Sequence, residues 1–271
     1  MSARYPVLLP AIVINATNKG IRVTENATTG VGNIVEGTYF LRGDGASDDL
    51  CVAIKTAIEA ATASTNTYTV EIVQRVITPS SSTAAIRIAR ATGADTFALL
   101  FSHATSTFDE ALIGFANSDT ALNASNKNST LSPTGLWVSP EVYRELEIEH
   151  EYAGGGSRAQ SGRVRYVRRG GPYDVRRWSM EMVDYRRTWE ADNASDPGAT
   201  FSYFLELWGT GRFEFHGPDI SAGSVLADTT SSTLLGTFQI DPGDLDVFAP
   251  TRGEPGIALY DWTMRLMGYV A

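Results

Sequence analysis

Ser47-Asp48-Asp49-Leu50-Cys51-Val52-Ala53-Ile54-Lys55-Thr56-Ala57-Ile58-Glu59-Ala60-Ala61-Thr62 is the stretch on which the fold of the first half turns. Leu50, Ile54, Ala57, Ile58 and Ala61 recur at the helical period and form one apolar stripe, with Lys55, Glu59 and Thr62 facing out. Ser47, Asp48 and Asp49 supply a cap and negative charge for the first turn. On either side of this helix the period changes to two. Alternation runs through Ile12/Ile14 and Ile21/Val23, around an Asn18-Lys19-Gly20 turn, and a further strand reads from Asn33 to Arg42. It returns at Tyr68/Val70/Ile72, Ile86/Ile88 and Phe97/Leu99/Phe101, before the half closes on Leu112-Ile113-Gly114-Phe115. One apolar stripe covers one sheet face, so an antiparallel sheet crossed by a single helix is expected here.

The polar, turn-rich segment 123–133 separates this half from the next and reads as a linker. The expected division is an N-terminal α+β module over 1–122, the linker, and a β-sheet domain with a long charged hairpin over 134–271. In that second half Glu145, Glu147, Glu149 and Glu151 alternate with Leu146, Ile148, His150 and Tyr152. Beyond Ala153-Gly154-Gly155-Gly156-Ser157, Arg163, Arg165 and Arg169 alternate with Val164, Tyr166 and Arg168. The pattern predicts a hairpin with a flexible tip near Gly155, pairing Glu151 with Arg163, Glu149 with Arg165 and Glu145 with Arg169. Trp178, Met180 and Met182 give another half-buried strand. Asp196-Pro197 reads as an N-cap and first-turn pair for a helix through Phe201, Phe204, Leu205 and Trp208, ended by Gly209 and Gly211. Strands follow at Phe213/Phe215, Phe238/Ile240 and Trp262/Met264/Leu266, with turns at Gly217-Pro218-Asp219 and Asp241-Pro242-Gly243-Asp244. The fold class expected is α+β and β-rich, two antiparallel-sheet domains each with one packed helix.

Composition narrows the function. The 271 residues are 43% apolar and 20% charged, within the globular range. Cys51 stands alone, excluding an internal disulfide, and is expected as a small buried side chain. With His103, His150 and His216 it forms no zinc spacing. The longest apolar run, Pro6 to Ile14, is short for a membrane span and reads as a strand rather than a signal peptide. Asn-x-Ser/Thr triplets at Asn15, Asn26, Asn123, Asn128 and Asn193 reflect a Ser/Thr/Asn-rich composition.

Catalytic motifs do not emerge. There is no Gly-x-Ser-x-Gly elbow, no phosphate loop with Lys and no dinucleotide fingerprint around Gly30/Gly32, Gly43/Gly45 or Gly209/Gly211. Asp44 to Asp49 is dense in oxygen ligands but lacks the length and closing Glu of a calcium loop, so capping is preferred. His216 reads as a sheet-end residue. No enzyme and no cofactor are expected. Net charge is −9, yet 158–187 holds nine Arg against Asp174, Glu181 and Asp184, a local +6. Phosphate contact, with Tyr166, Tyr173 and Trp178 stacking on bases, is the weaker reading of that stretch. Arg–carboxylate pairing between subunits is the preferred one, with Glu145, Glu147, Glu149, Glu151, Gly155, Arg158, Arg163, Arg165, Arg168 and Arg169 as interface candidates.

The order Gly37-Thr38-Tyr39-Phe40-Leu41, helix from Asp49-Leu50, strand Phe97 to Phe101 and close at Leu112 to Phe115 resembles a small module of tailed-bacteriophage structural proteins. From Trp137 to Tyr269, the charged hairpin, Val175-Arg176-Arg177-Trp178-Ser179, the helix ending Leu207-Trp208-Gly209 and Arg212-Phe213-Glu214-Phe215 resemble the tail-tube-like core of phage distal tail and baseplate proteins. That resemblance implies a virion structural protein of the tail tip, made in the host cytoplasm, whose partners are its own copies in a ring and other tail proteins, not a membrane. Another virion subunit (tail tube, tail completion or fibre attachment), a nucleic-acid-contacting connector, and a carbohydrate-binding β module using Trp137, Trp189 or Tyr203 stay as alternatives.

Overall fold

Val7-Leu8-Leu9-Pro10 has no polar alternation, and a strand of that kind needs cover on both faces. It has it: all four residues are buried. The structure, a computed structural model, describes residues 7–62, 66–78, 81–138, 143–151, 154–158, 164–168, 175–186, 195–209, 211–216, 234–240, 252–254 and 257–269. For the strands over 143–186 and from 234 onward the description is of backbone path and pairing. In chain order the elements are β1 (Val7–Pro10), β2 (Ile12–Ile14), β3 (Gly20–Glu25), β4 (Thr28–Asn33), β5 (Gly37–Tyr39), α1 (Leu50–Ala61), β6 (Thr67–Thr78), β7 (Ser81–Thr92), β8 (Phe97–Leu99), β9 (Lys127–Asn128) and β10 (Trp137–Val138). Then come β11 (Tyr143–Glu151), β12 (Gly154–Arg158), β13 (Val164–Arg168), β14 (Val175–Arg186), α2 (Phe201–Trp208), β15 (Phe213–His216), β16 (Leu234–Ile240), β17 (Arg252–Glu254) and β18 (Ile257–Tyr269). The fold is β-rich, with several antiparallel sheets and few helices.

The first half builds three small sheets where one was expected: β2-β5, β4-β3-β8 and β6-β7-β9. α1 lies among them, burying Leu50, Cys51, Ile54, Ala57 and Ile58. Its start is fixed by Asp49, whose Oδ1 accepts from the Cys51 amide at 3.0 Å and the Gly43 amide at 3.1 Å, while Oδ2 accepts from Gly45 at 3.0 Å. Asp49 is thus the cap, as the sequence suggests, and it also closes the preceding loop. The helix approaches β4 through glycine: a Cβ on Gly32 would sit 1.8 Å from the Ala57 carbonyl oxygen, and one on Gly30 1.6 Å from that of Ala61.

The expected linker is a packed segment. Within 123–133, β9 pairs with β7, Ser129 Oγ accepts from the Ile86 amide at 2.9 Å, and Lys127, Ser129 and Ser132 are buried. Asp196, read from sequence as a helix cap, makes no capping bond. Its carboxylate instead accepts from the Ser132 amide at 2.7 Å and hydroxyl at 2.9 Å, while α2 starts after Thr200. The partner lies far away in sequence, which is why local pattern missed it.

Among the described residues, the largest sheet has eight strands in the order β10-β1-β15-β16-β18-β14-β11, with β17 added on β18. β1, numbered within the first half, pairs with β15 and β10 of the second. Its alternate side chains join two packed regions. Val7 and Leu9 enter one cluster with Ile54, Ile58, Phe97, Leu136 and Val138. Leu8 is fully buried, as are Trp137, Phe201 and Phe213, and Trp137 lies 4.5 Å from Phe201 between ring centroids. α2 takes up the predicted positions, burying Phe201 and Phe204 against Trp137 and Phe213. Burial of Trp137 removes it as a sugar-stacking platform, whereas Trp189 lies outside the described residues.

Candidate functional site

The charged strands predicted as one hairpin are all strands, but their partners differ from the prediction. β11 pairs with β14, setting Glu145 opposite Glu181, Glu147 opposite Ser179, Glu149 opposite Arg177 and Glu151 opposite Val175. β13 pairs with β12, setting Arg165 opposite Ser157 and Arg168 opposite Gly154. Glu149 therefore does not face Arg165 across either ladder, and the expected pairings of Glu151 with Arg163 and Glu145 with Arg169 each involve a residue that is not described. Arg163 and Arg169 themselves lie outside the described residues. Register explains the outcome: β11 against β14 aligns Leu146 with Met180 and Ile148 with Trp178, an apolar rank that outweighs exposed charge pairs worth about 0.2–1 kcal/mol each. Gly155, expected at a mobile tip, sits inside β12 opposite Val167.

What results is a ribbon in which β11 carries four Glu, β13 carries Arg165 and Arg168, and β14 carries Arg and acids alike. β11 is the terminal strand of the large sheet, with β14 on one side and, among the described residues, nothing on the other. Its four Glu at alternate positions share one rank, and one of them, Glu149, has a cation directly opposite. Arg144 falls at the irregularity between Tyr143 and Glu145. Three residues beyond Glu151 the chain enters the β12–β13 ladder, which carries Arg158, Arg165 and Arg168 and is joined by no third strand among the described residues.

Elsewhere, several buried polar groups are answered internally, although Arg22 Nε, Ser106 Oγ and Trp137 Nε1 are buried without a hydrogen-bond partner among the described residues. Arg42 forks onto Glu214 through Nε at 2.8 Å and through Nη2, and its Nη1 meets Asp48. These bonds hold the guanidinium charged, above its ordinary range, against the opposing effect of burial. Arg42 also lies over Phe40, 4.6 Å from the ring centroid. Glu25, nearly fully buried, accepts from Thr62 Oγ1, Tyr68 OH and Asn66 Nδ2. Burial, followed by the bond to Glu25, pushes the Tyr68 phenol up. Lys127 donates to the Ala121 carbonyl at 2.7 Å and Asn123 Oδ1 at 2.6 Å, 4.6 Å from the Phe97 centroid, and burial lowers its pKa. Cys51 is buried and its thiol is pushed up by desolvation, which suits packing rather than nucleophilic attack.

The Asp44–Asp49 loop acts in capping: Asp49 binds three amides and Asp44 accepts from Ala46 at 2.9 Å. His216 ends β15 opposite Val7. Among the described residues no cluster of His, Cys, Asp and Glu has metal-binding geometry, and no helix is long and apolar enough to cross a membrane. Comparison of the chain with protein-family models, with curated proteins and with solved structures finds no match.

Proposed function

We propose that the chain is a structural subunit of a phage tail tip or baseplate, acting through contacts with its own copies and with other tail proteins and carrying out no turnover. The observation behind this reading is the outer edge of the large sheet. Among the described residues, a nine-residue strand ends an eight-stranded sheet with no strand paired on its outer side. Such edges are normally shortened, covered or guarded by charge because they template pairing with another chain. β11 is long and guarded by Glu, which blocks indiscriminate pairing and leaves room for a partner of matching charge. The resemblance of the second half to the distal tail core supplies the biological setting.

Light scattering and negative-stain imaging of the full chain test the proposal. Closed or stacked assemblies are expected, as is retention on particles when the chain is mixed with virion extract. A strict monomer at every concentration that also ignores virion components would overturn it.

A further inference from the structure

We infer that the open edge of β11 receives strand β13 of a second copy of this chain, antiparallel, with Glu149 facing Arg165. This rests on the self-assembly proposed above and names the surfaces that meet. Arg163 and Arg169 flank β13 in the sequence at the spacing that matches Glu151 and Glu145. These matches are written into the alternation of the two segments, and among the described residues β11 has taken β14 and β13 has taken β12. β11 itself carries four Glu, of which Glu149 alone has a cation opposite, Arg177, and β13 carries Arg165 and Arg168. Glu145 opposite Glu181 is a like-charge pair, and Glu147 and Glu151 have no cation opposite in β14. On the other ladder Arg165 faces Ser157, Arg168 faces Gly154 and Arg158 faces Val164, so no acid lies opposite any of them.

The charges also select among the possible edge pairings. β11 on β11 brings Glu near Glu, and β13 on β13 brings like-charged Arg together; both are disfavoured, which argues against a two-fold contact through either edge. β13 on β11 is favoured in charge and supplies backbone partners to both open edges. It joins different surfaces of the two copies, so it propagates head to tail and closes into a ring or extends as a stack.

Charge inversion in trans tests this. One chain carries E149R and E151R, a second carries R163E and R165E, and a third carries all four changes; sedimentation velocity reads self-association. Each two-substitution chain alone is expected to associate at least about tenfold more weakly than wild type. An equimolar mixture of the two, and the four-substitution chain by itself, are expected to recover. Hydrogen exchange over the β11–β14 amides shows whether the fold survives inversion. If it does not, E149Q/E151Q and R163Q/R165Q take its place, with weaker association and a flatter salt dependence expected. Undiminished association of the altered chains, or loss without recovery in the mixture, overturns the inference while leaving assembly through another surface standing. Wild type that never associates overturns both. Unaltered association together with lost retention of duplex DNA by the Arg-altered chain would overturn the inference and assign that ladder to phosphate.

Discussion

The packed body formed by residues 7–138 with 195–216 and the ribbon formed by β11 to β14 treat charge in opposite ways. In the body, Arg42 is held by Glu214 and Asp48, Glu25 collects three donors, and Asp49 binds three amides. In the ribbon, β11 carries four Glu and β13 carries Arg165 and Arg168, and apart from Glu149 opposite Arg177 they stand opposite residues that do not neutralise them. Burial accounts for the difference. A charge shut away from water must be paired, because an unpaired one costs several kcal/mol, whereas a charge along an open strand edge has no such obligation and can be kept for a partner.

The largest effect should come from breaking the body's ion pair on one side. Arg42 and Glu214 side chains are 12% and 5% exposed, so Glu214→Ala leaves a guanidinium buried beside Asp48 alone and should cost about 3–5 kcal/mol. Urea unfolding measures this, and the joint change R42M/E214L should recover most of the loss. A cost under 1 kcal/mol would show that water reaches the pair and that the body is less closed than its burial indicates.

Next in size is Gly32→Ala. Its new methyl would sit 1.8 Å from the Ala57 carbonyl oxygen, so α1 must lift from β4, at an expected cost of about 3 kcal/mol. Gly45→Ala is the useful control, since nothing lies within 4 Å of the added carbon and the cost there is backbone strain at φ +79. Thermal unfolding of the two variants should separate steric from conformational loss.

These residues also show which features the sequence displayed. The two helices were legible because their apolar stripes are local, as was Asp49 as the cap of α1. Most strands were legible by alternation. The pairing of strands was not: β1 is an unbroken apolar run that encodes no face, and its partners lie far along the chain. The Arg42–Glu214 contact spans 172 residues and leaves no local mark. In the ribbon, the charge complementarity of Glu149 and Arg165 is visible over a short separation but does not set the register, whereas the apolar rank between β11 and β14 is encoded over a longer one. Gly154 to Ser157 suggested a loop tip by composition, whereas a ladder with β13 makes them strand.

Alkaline pH separates two buried groups of the body, with a smaller expected effect. Burial lowers the folded pKa of Lys127 below the ordinary 10.5, so the unfolded chain binds more protons between the two values and stability rises with pH across that window. Tyr68 has the opposite sign: its folded pKa lies above the ordinary 10.0, so its contribution is complete below pH 10 and is lost as pH climbs further. Urea midpoints from pH 8 to 11 should rise and then fall. Lys127→Met should flatten the rising limb, and Tyr68→Phe the falling one. A rising limb unchanged in Lys127→Met would mean that the amine is solvated despite its position.

The smallest effect on stability is expected in the ribbon, and it is the sharpest check of the contrast. Arg165 stands opposite Ser157, so Arg165→Gln removes no ion pair across its own ladder and should shift the unfolding free energy of the isolated chain by less than about 0.5 kcal/mol. Glu147→Gln, opposite Ser179, should be equally silent, and Glu145→Gln, which relieves the pair with Glu181, should be neutral or slightly stabilising. The measurement belongs at concentrations where the chain is monomeric, since association would add its own stabilisation. A loss above 1 kcal/mol in Arg165→Gln would mean that the arginine answers an acid within its own chain. The contrast would then collapse, because charges already satisfied internally have nothing left to offer a second copy.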